Sequence, residues 1–282
     1  MAVSRINVGC QLVYEVSQPT SFVFNLAAAA NDHQVVTNEV FSLQPPTDFV
    51  VAHLRGNQLY RLHMQPGTLT LCYTADVELT SDIQSVGNVA ERRHEDLPVE
   101  TLPFLNPSRY CESDRLLDLA ENEFGNEPPG YGRVEAICDW ANQHLNYRLG
   151  STDASTTACD VLLSRAGVCR DFAHVCIAIC RALDIPARYV SGYAVDLDPP
   201  DFHGFFEAYL GDRWYLFDPT RLSRLNGLVR IGNGRDAADT PFATIVGEAE
   251  LVYKTISAET DGTELTAIDE RTSGISTAPN DR

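Results

Sequence analysis

The chain has 282 residues, 44% of them hydrophobic, and a formal net charge of −18 at pH 7. That length can bury one large core or two modest ones, and the composition excludes both a chain disordered throughout and a small disulfide scaffold. A chain this acidic is a poor partner for nucleic-acid phosphates and for anionic membrane surfaces, so we expect it to bind neither.

The cysteines and the N-terminus bear on compartment and cofactors. Eight cysteines occur without a Cys-x-x-Cys pair, which argues against a zinc ribbon or a thioredoxin-like motif. The N-terminus has no charged start followed by an apolar segment, and no run of about eighteen apolar residues occurs. We therefore expect a cytoplasmic protein with free thiols, no metal and no cofactor, and the sequence leaves the oligomeric state open.

Residues 1–100 are predicted to form an N-terminal antiparallel β domain. Apolar residues alternate from Ile6 to Tyr14 and again from Thr68 to Leu79, which is typical of half-buried strands. Turn signals separate such runs at Pro45-Pro46 and at Gln65-Pro66-Gly67.

Residues 101–258 are predicted to form a core in which helices come first. Helical spacing indicates four of them: one after Ser113, one from Val134 to Leu145, one capped by Thr156-Thr157, and one from Cys169 to before Pro186. Strands are then predicted at 188–195, 204–210, 214–217 and 251–256. The order of strands, helices and strands indicates an α+β fold.

The last segment, 259–282, is rich in acidic residues, Ser, Thr and Gly. Such a composition offers little apolar surface to bury, and it predicts a disordered acidic tail.

Cys169 is the candidate nucleophile. Gly167 precedes it and an apolar helix follows, so the sulfur is expected at a helix N-terminus, where the partial positive charge favours a thiolate. A thiolate attacks acyl carbons readily. The alternative is an inert buried cysteine, which is the commoner role of a free cysteine taken alone.

His203 and Asp218 are the candidate partners of Cys169. His203 opens a predicted strand, and paired with a thiolate it would act as general base and then as acid for the leaving amine. Asp218 ends another strand, just before Pro219, and its carboxylate could orient the imidazole. If these strands form a hairpin across residues 211–213, both side chains lie at one end of it.

Three segments together resemble the transglutaminase-like superfamily, and most closely its bacterial cysteine proteases with an N-terminal β region. They are Gly-Val-Cys-x-Asp-Phe-Ala-His at 167–174, the strand with His203, and Phe-Asp-Pro-Thr at 217–220. The resemblance covers nearly all the chain except the tail. It implies a papain-like core with the cysteine helix packed on an antiparallel sheet, and acyl transfer by Cys169, His203 and Asp218 on a peptide or protein substrate.

One departure from the family pattern is visible after the histidine. The family usually has His-Ala-Trp, whereas this chain has His203, Gly204 and Phe205. An aromatic ring is retained, but an indole N–H that could donate a hydrogen bond is lost, which bears on specificity rather than on the three candidate residues.

Other candidate groups are weaker. The backbone N–H of Cys169 is one natural oxyanion donor, and Tyr147 could be a second, although a core tyrosine is the commoner role. Cys176 and Cys180 are expected in the core, and His174 is expected to make a structural hydrogen bond.

Three functions stay open from the sequence. Hydrolysis of peptide or isopeptide amides through an acyl-thioester is favoured by the bacterial resemblance. The same acyl-enzyme could instead be resolved by an amine, as in a protein-glutamine transglutaminase. A binding or scaffold module that retains the fold without activity is the third.

Overall fold

A computed structural model of the chain describes residues 2–54, 56–262, 264–269 and 271–278. Strands dominate both ends of this part of the chain and α-helices lie in the middle, so the predicted α+β fold is confirmed. None of the helices in these ranges combines the length and apolar character needed to span a bilayer.

The N-terminal region forms strands, as the alternating apolar residues predict. They are β1 (Ala2–Val16), β2 (Thr20–Phe24), β3 (Gln34–Gln44), β4 (Phe49–Leu54), β5 (Asn57–Met64) and β6 (Gly67–Ser85). β1 pairs antiparallel with β6 along its whole length, and β2 pairs with β5. Alternate residues of β1 are buried, and they face a core shared with β2, β5 and β6.

Four helices follow in the described residues: α1 (Leu117–Phe124), α2 (Tyr131–His144), α3 (Ala158–Ser164) and α4 (Cys169–Ala182). Short 3-10 turns lie at His94–Asp96, Val99–Phe104, Ser113–Arg115 and Leu225–Gly227. The first helix begins later than predicted, because Ser113 opens a 3-10 turn and Leu116, at φ −110° and ψ 7°, interrupts helical geometry before α1. Thr157 caps α3 in a reciprocal bond with Asp160, as expected.

The core sheet provides the support for the site. Its strands are β9 (Ala187–Ala194), β10 (Phe202–Leu210), β11 (Arg213–Phe217) and β12 (Leu228–Gly234), and their spatial order is β11-β10-β9-β12. β12 was not predicted. A short parallel pair, β7 (Asn146–Tyr147) and β8 (Ala166–Gly167), lies just before α4. α4 packs on the core sheet through an apolar cluster that includes Phe172, Cys176, Phe206 and Phe217.

The C-terminal strands return to the N-terminal sheets. They are β13 (Ala243–Val246), β14 (Ala249–Thr260) and β15 (Ser273–Ser276), and they pair with β2, β1 and β6 respectively. Residues 243–258, predicted as part of the catalytic core, thus complete sheets of the N-terminal region.

The prediction of a disordered tail at 259–282 is corrected for the described part of that segment. β14 continues to Thr260, and β15 pairs with β6 while Ile275 packs, fully buried, in a cluster with Phe205 and Leu216. Composition misled here because a few small and apolar residues suffice to add an edge strand to an existing sheet. Residues 263, 270 and 279–282 lie outside the described residues.

The two regions share one packed interface. Val229 and Ile231 of β12 belong to the same apolar cluster as Phe22 and Leu26 of the N-terminal region. The Tyr193 hydroxyl donates to the Leu26 carbonyl at 2.7 Å. The N-terminal strands are therefore held against the core, and they contribute to the cleft described next.

Candidate active site

A cleft of about 610 Å³ lies where the core meets the N-terminal strands. Cys169 and Gly204 line it from the core, Tyr14 from β1, and Leu251 and Lys254 from β14. Both regions of the chain therefore shape the space in front of Cys169.

Cys169 is the first residue of α4 and is partly exposed in this cleft. Val168 before it is extended, at φ −115° and ψ −177°, and acts as the N-cap. The first N–H groups of an α-helix have no i−4 carbonyl partner within the helix, so the sulfur lies at the positive end of the helix dipole.

Asp171 fixes the start of this helix. Its side chain is buried, and Oδ2 accepts hydrogen bonds from the Val168 N–H at 2.9 Å and from the Thr152 hydroxyl at 2.6 Å. Oδ1 accepts from the Arg170 guanidinium at 2.7 Å. The Asp171 carboxylate thus holds the backbone at the start of the helix that carries Cys169.

Gly167 is required by close packing against that carboxylate. A Cβ at position 167 would lie 2.7 Å from the Asp171 Cβ and 3.2 Å from its Oδ2. These two atoms of Asp171 cannot move away freely, because four hydrogen bonds fix its carboxylate.

Gly167→Ala is therefore expected to lower the free energy of unfolding by about 1–3 kcal/mol, the usual cost of overpacking. Chemical denaturation followed by circular dichroism measures it. Gly132→Ala is the matched control, since a Cβ at that helical position meets nothing within 4 Å, and it is expected to be neutral or stabilising. Equal stability of Gly167→Ala and the wild type would contradict the packing argument.

The hairpin of β10 and β11 brings His203 and Asp218 together. Leu210 lies opposite Arg213 next to the turn, and Phe206 lies opposite Phe217 at the other end. The two strands therefore leave the ladder at the same end, as the sequence predicts, and His203 Nε2 lies 2.9 Å from Asp218 Oδ2.

His203 is fully buried. Burial lowers the pKa of its ring, but the charge and hydrogen bond of Asp218, followed by those of Cys169, outweigh burial and raise the pKa to about 10. Nδ1 makes no hydrogen bond of normal geometry within the described residues. The free ring nitrogen and the effect of the thiol on the ring together indicate that Cys169 is the neighbour of Nδ1.

Asp218 is held by hydroxyl groups that sequence reasoning did not identify. Oδ1 accepts from the Thr220 N–H at 2.9 Å and from its hydroxyl at 2.6 Å, and Oδ2 accepts from Ser223 at 3.2 Å. Burial raises the pKa of Asp218, but the charge and hydrogen bond of His203, followed by the two Thr220 hydrogen bonds, lower it below its ordinary value. The available signal was two hydroxyl residues within five positions after the aspartate, in a turn opened by Pro219.

Tyr147 lies beside the nucleophile. The parallel pairing of β7 and β8 sets Tyr147 alongside Gly167, two residues before Cys169. Burial and the charge of Cys169 raise the pKa of Tyr147, and a hydrogen bond from the Cys169 N–H to its hydroxyl opposes this rise. The suggested second oxyanion donor is therefore close to the first.

The remaining residues considered from the sequence take structural positions. His174 Nε2 accepts from the Ala237 N–H at 3.1 Å, and its ring stacks on Tyr110. Cys176 and Cys180 are fully buried in the core. Phe205 is also buried, with its ring centroid 6.3 Å from that of His203.

A surface ion pair joins the two walls of the cleft. Lys254 of β14 contacts the carboxylate of Asp201, two residues before His203. Both groups line the cleft and remain partly exposed. Sequence reasoning missed this pair, since nothing in the chain order indicates that β14 returns past the histidine strand.

The structure brings the three candidate residues to one place. A cysteine at a helix N-terminus, a buried histidine next to it and an aspartate that orients the histidine can form and stabilise a thiolate–imidazolium pair. In the described part of the chain, no cluster of three or more His, Cys, Asp or Glu side chains could hold a metal ion.

Family models match both regions. The model described as the transglutaminase-like superfamily matches residues 118–219, which include all three candidate residues, and that of the bacterial transglutaminase N-terminal domain matches residues 4–97. An uncharacterized protein of Mycobacterium leprae is 34% identical over 256 residues, or 83% of this chain and 90% of that protein. The chain belongs to the transglutaminase-like superfamily.

Solved structures agree with this family assignment. The crystal structure of a Cytophaga hutchinsonii protein, described as a candidate cysteine protease, has a TM-score of 0.94 and 40% sequence identity, and the match covers 98% of each chain. Among sequence relatives, an uncharacterized protein of Mycobacterium tuberculosis is 36% identical over 155 residues, about half of either chain. Family and neighbour together support cysteine-based acyl transfer as the general chemistry of this site.

Proposed function

We propose that this protein is a cysteine hydrolase of peptide or isopeptide amides. The observation that carries the proposal is the buried His203–Asp218 pair, whose Nε2 and Oδ2 atoms lie 2.9 Å apart. The other ring nitrogen, Nδ1, makes no hydrogen bond within the described residues and is assigned to Cys169, the first residue of α4. The description of the Cytophaga hutchinsonii neighbour as a candidate cysteine protease supports hydrolysis over amine transfer.

The first half of the reaction acylates the enzyme. The Cys169 thiolate attacks the scissile carbonyl carbon, and the oxyanion is stabilised by the Cys169 N–H and, in this proposal, by the Tyr147 hydroxyl. The tetrahedral intermediate then collapses. The C–N bond breaks, the His203 imidazolium gives its proton to the departing amine, and an acyl-thioester remains.

The second half releases the acid. The now neutral His203 takes a proton from water as that water attacks the thioester carbonyl. The carboxylic acid leaves, Cys169 returns as thiolate, and His203 returns as imidazolium. Asp218 stays ionised throughout and stabilises the charged ring.

The fate of the acyl-enzyme is the first thing to measure. The protein is incubated with glutamine-containing and unmodified peptide libraries, with and without a primary amine such as monodansylcadaverine, and products are identified by mass spectrometry. Cleaved amide bonds that require Cys169, with an amine that is not incorporated, are expected. Incorporation of the amine in place of water would replace this proposal by the transglutaminase alternative.

Thiol reactivity tests whether the site is active at all. Alkylation of Cys169 by iodoacetamide is expected to stay fast below pH 7, where a free cysteine with a pKa of about 8.5 is protonated. His203→Ala is expected to remove that low-pH reactivity. A slow reaction indifferent to His203 would favour the binding or scaffold alternative.

The proposal includes a reducing compartment such as the cytoplasm. All eight cysteines lie within the described residues and all are free thiols, which is the usual state of cysteines in a reducing environment. A peptide or protein is the proposed partner.

A further inference from the structure

A second tyrosine, Tyr189 of β9, faces the cleft beside the nucleophile. It is only 2% exposed, yet it lines the cleft together with Cys169 and Gly204. Its ring is fixed by the neighbouring ring of His174, with the centroids 5.2 Å apart. The hydroxyl makes no hydrogen bond within the part of the chain that the structure describes, although it is a polar group in a nearly buried position.

Gly204, the residue after His203, lies against the Tyr189 hydroxyl, and this contact requires a glycine. Tyr189 lies opposite Phe206 in the pairing of β9 with β10, so Gly204 is its diagonal neighbour. A Cβ at position 204 would overlap the Tyr189 hydroxyl and lie 3.1 Å from two atoms of its ring. Gly204 has an ordinary negative φ, so backbone conformation gives no reason for glycine here. The missing side chain is what leaves space for the phenol at the cleft wall.

The hydroxyl is available as a donor. Burial, and then the charge of Cys169, raise the pKa of Tyr189 well above its ordinary value, so the proton is kept across the physiological range. Tyr110, another tyrosine of this wall, already donates to the Ala154 carbonyl at 2.7 Å. Tyr189 is thus a protonated phenol with an unused donor, held next to the reacting sulfur.

The surroundings indicate what such a donor would bind. Val168, Ala237 and Phe202 contribute apolar side chains to the cleft lining, and a carbonyl buried against such side chains loses its hydrogen bonds to water unless the protein replaces them. A cleft of about 610 Å³ is in the range that encloses a ligand much larger than one acyl group. A peptide chain supplies carbonyls at regular intervals along such a cleft.

We propose that the Tyr189 hydroxyl donates a hydrogen bond to a backbone carbonyl of a peptide acyl donor, and that Gly204 is kept small to admit this hydroxyl. The inference rests on the proposed function, because it concerns the substrate of that site. It names a peptide segment, rather than a lone acyl group, as what the cleft recognises.

Two electrophiles of different length test this inference. Iodoacetamide reports on the thiolate alone, whereas a tripeptidyl chloromethyl ketone must also bind along the cleft. The measured quantity is the ratio of the second-order labelling rates of Cys169, peptidyl reagent over iodoacetamide, read by mass spectrometry. Tyr189→Phe keeps the ring and removes only the hydroxyl, and it is expected to lower this ratio about 3- to 10-fold, as for the loss of one hydrogen bond.

Gly204→Ala provides an independent route to the same loss. It should displace the hydroxyl and lower the ratio, and the double variant with Tyr189→Phe should fall no further than the lower of the two single variants. Tyr209→Phe is the matched control, because that tyrosine packs on Trp214 in a separate cluster outside the cleft, and its ratio should equal that of the wild type. If Gly204→Ala does not fold, Tyr189→Phe decides alone.

Each outcome has one meaning. A wild-type ratio in Tyr189→Phe, with Cys169 labelled by both reagents, would overturn the inference and leave the proposed function standing. A Cys169 that reacts no faster than an ordinary thiol in the wild type would overturn the proposed function, and this inference with it.

Discussion

Cys169→Ala is expected to abolish amide cleavage, with a fall in kcat/KM of about 10⁴-fold or more. The reason is that the acyl-thioester needs a sulfur, and a methyl group cannot form a bond to the acyl carbon. Cys169→Ser retains a hydroxyl, but an alcohol in this position is far less ionised than a thiol, so a fall of similar order is expected. Release of a chromogenic amine from a peptide anilide measures both.

Cys159→Ala is the matched control for this prediction. Cys159 is also partly exposed, but it lies on α3 and outside the cleft lining. Its substitution should leave kcat/KM within about twofold, as is usual for a position away from the reacting groups. Activity that survives in Cys169→Ala would show that another group is the nucleophile.

Asp218→Asn is expected to lower kcat/KM by about 10⁴-fold, the loss found when the orienting aspartate of a serine-protease triad is replaced by asparagine. The charge of Asp218 makes the largest of the contributions that raise the pKa of His203 and oppose the effect of burial. Without it, burial dominates, the pKa of the ring falls, and the imidazolium that supports the thiolate is lost. Iodoacetamide labelling of Cys169 at pH 6 should therefore slow along with catalysis.

The same pair makes stability depend on pH. The pKa of His203 is raised to about 10 in the folded protein, above its ordinary value of about 6.5, so its contribution is fully present below pH 6.5 and is lost as pH rises through about 10. The lowered pKa of Asp218 acts oppositely, and its contribution is lost as pH falls below about 4. The stability difference between wild type and Asp218→Asn should be largest between about pH 4 and pH 6.5, and it should shrink as the pH rises toward 10.

Urea denaturation across this pH range measures that difference. Asp212→Asn is the control, because Asp212 pairs with Arg213 in the exposed hairpin turn and its side chain is 70% exposed. A difference between wild type and Asp218→Asn that does not change from pH 5 to pH 10 would contradict the charged His203–Asp218 pair.

The local sequence signals were sufficient for the elements that carry the site. Gly167 and the apolar spacing after Cys169 predict a helix that begins at the sulfur, and α4 does begin there. The alternating segments on either side of residues 211–213 predict a hairpin with His203 and Asp218 at one end, and β10 and β11 form it. Short-range periodicity and turn chemistry decide such features, because the residues involved are neighbours along the chain.

Features that depend on distant segments were not accessible in this way. The tail predicted as disordered contains β15, whose Ile275 packs against residues of the core, and residues 243–258 pair with strands more than two hundred positions earlier. Pairing partners of an edge strand are set by the sheet that is already present, which leaves little trace in the composition of the strand itself.

The sequence by itself determined the class of fold and the helix that carries Cys169, and it singled out the three candidate residues Cys169, His203 and Asp218. It could do so because each of these features depends on particular side chains in a particular local element. Only the tertiary structure decided what else surrounds them: the residues of β14 that line the cleft, and the packing of the Tyr189 phenol against Gly204. These contacts join different strands, and their geometry exists only once the core has packed.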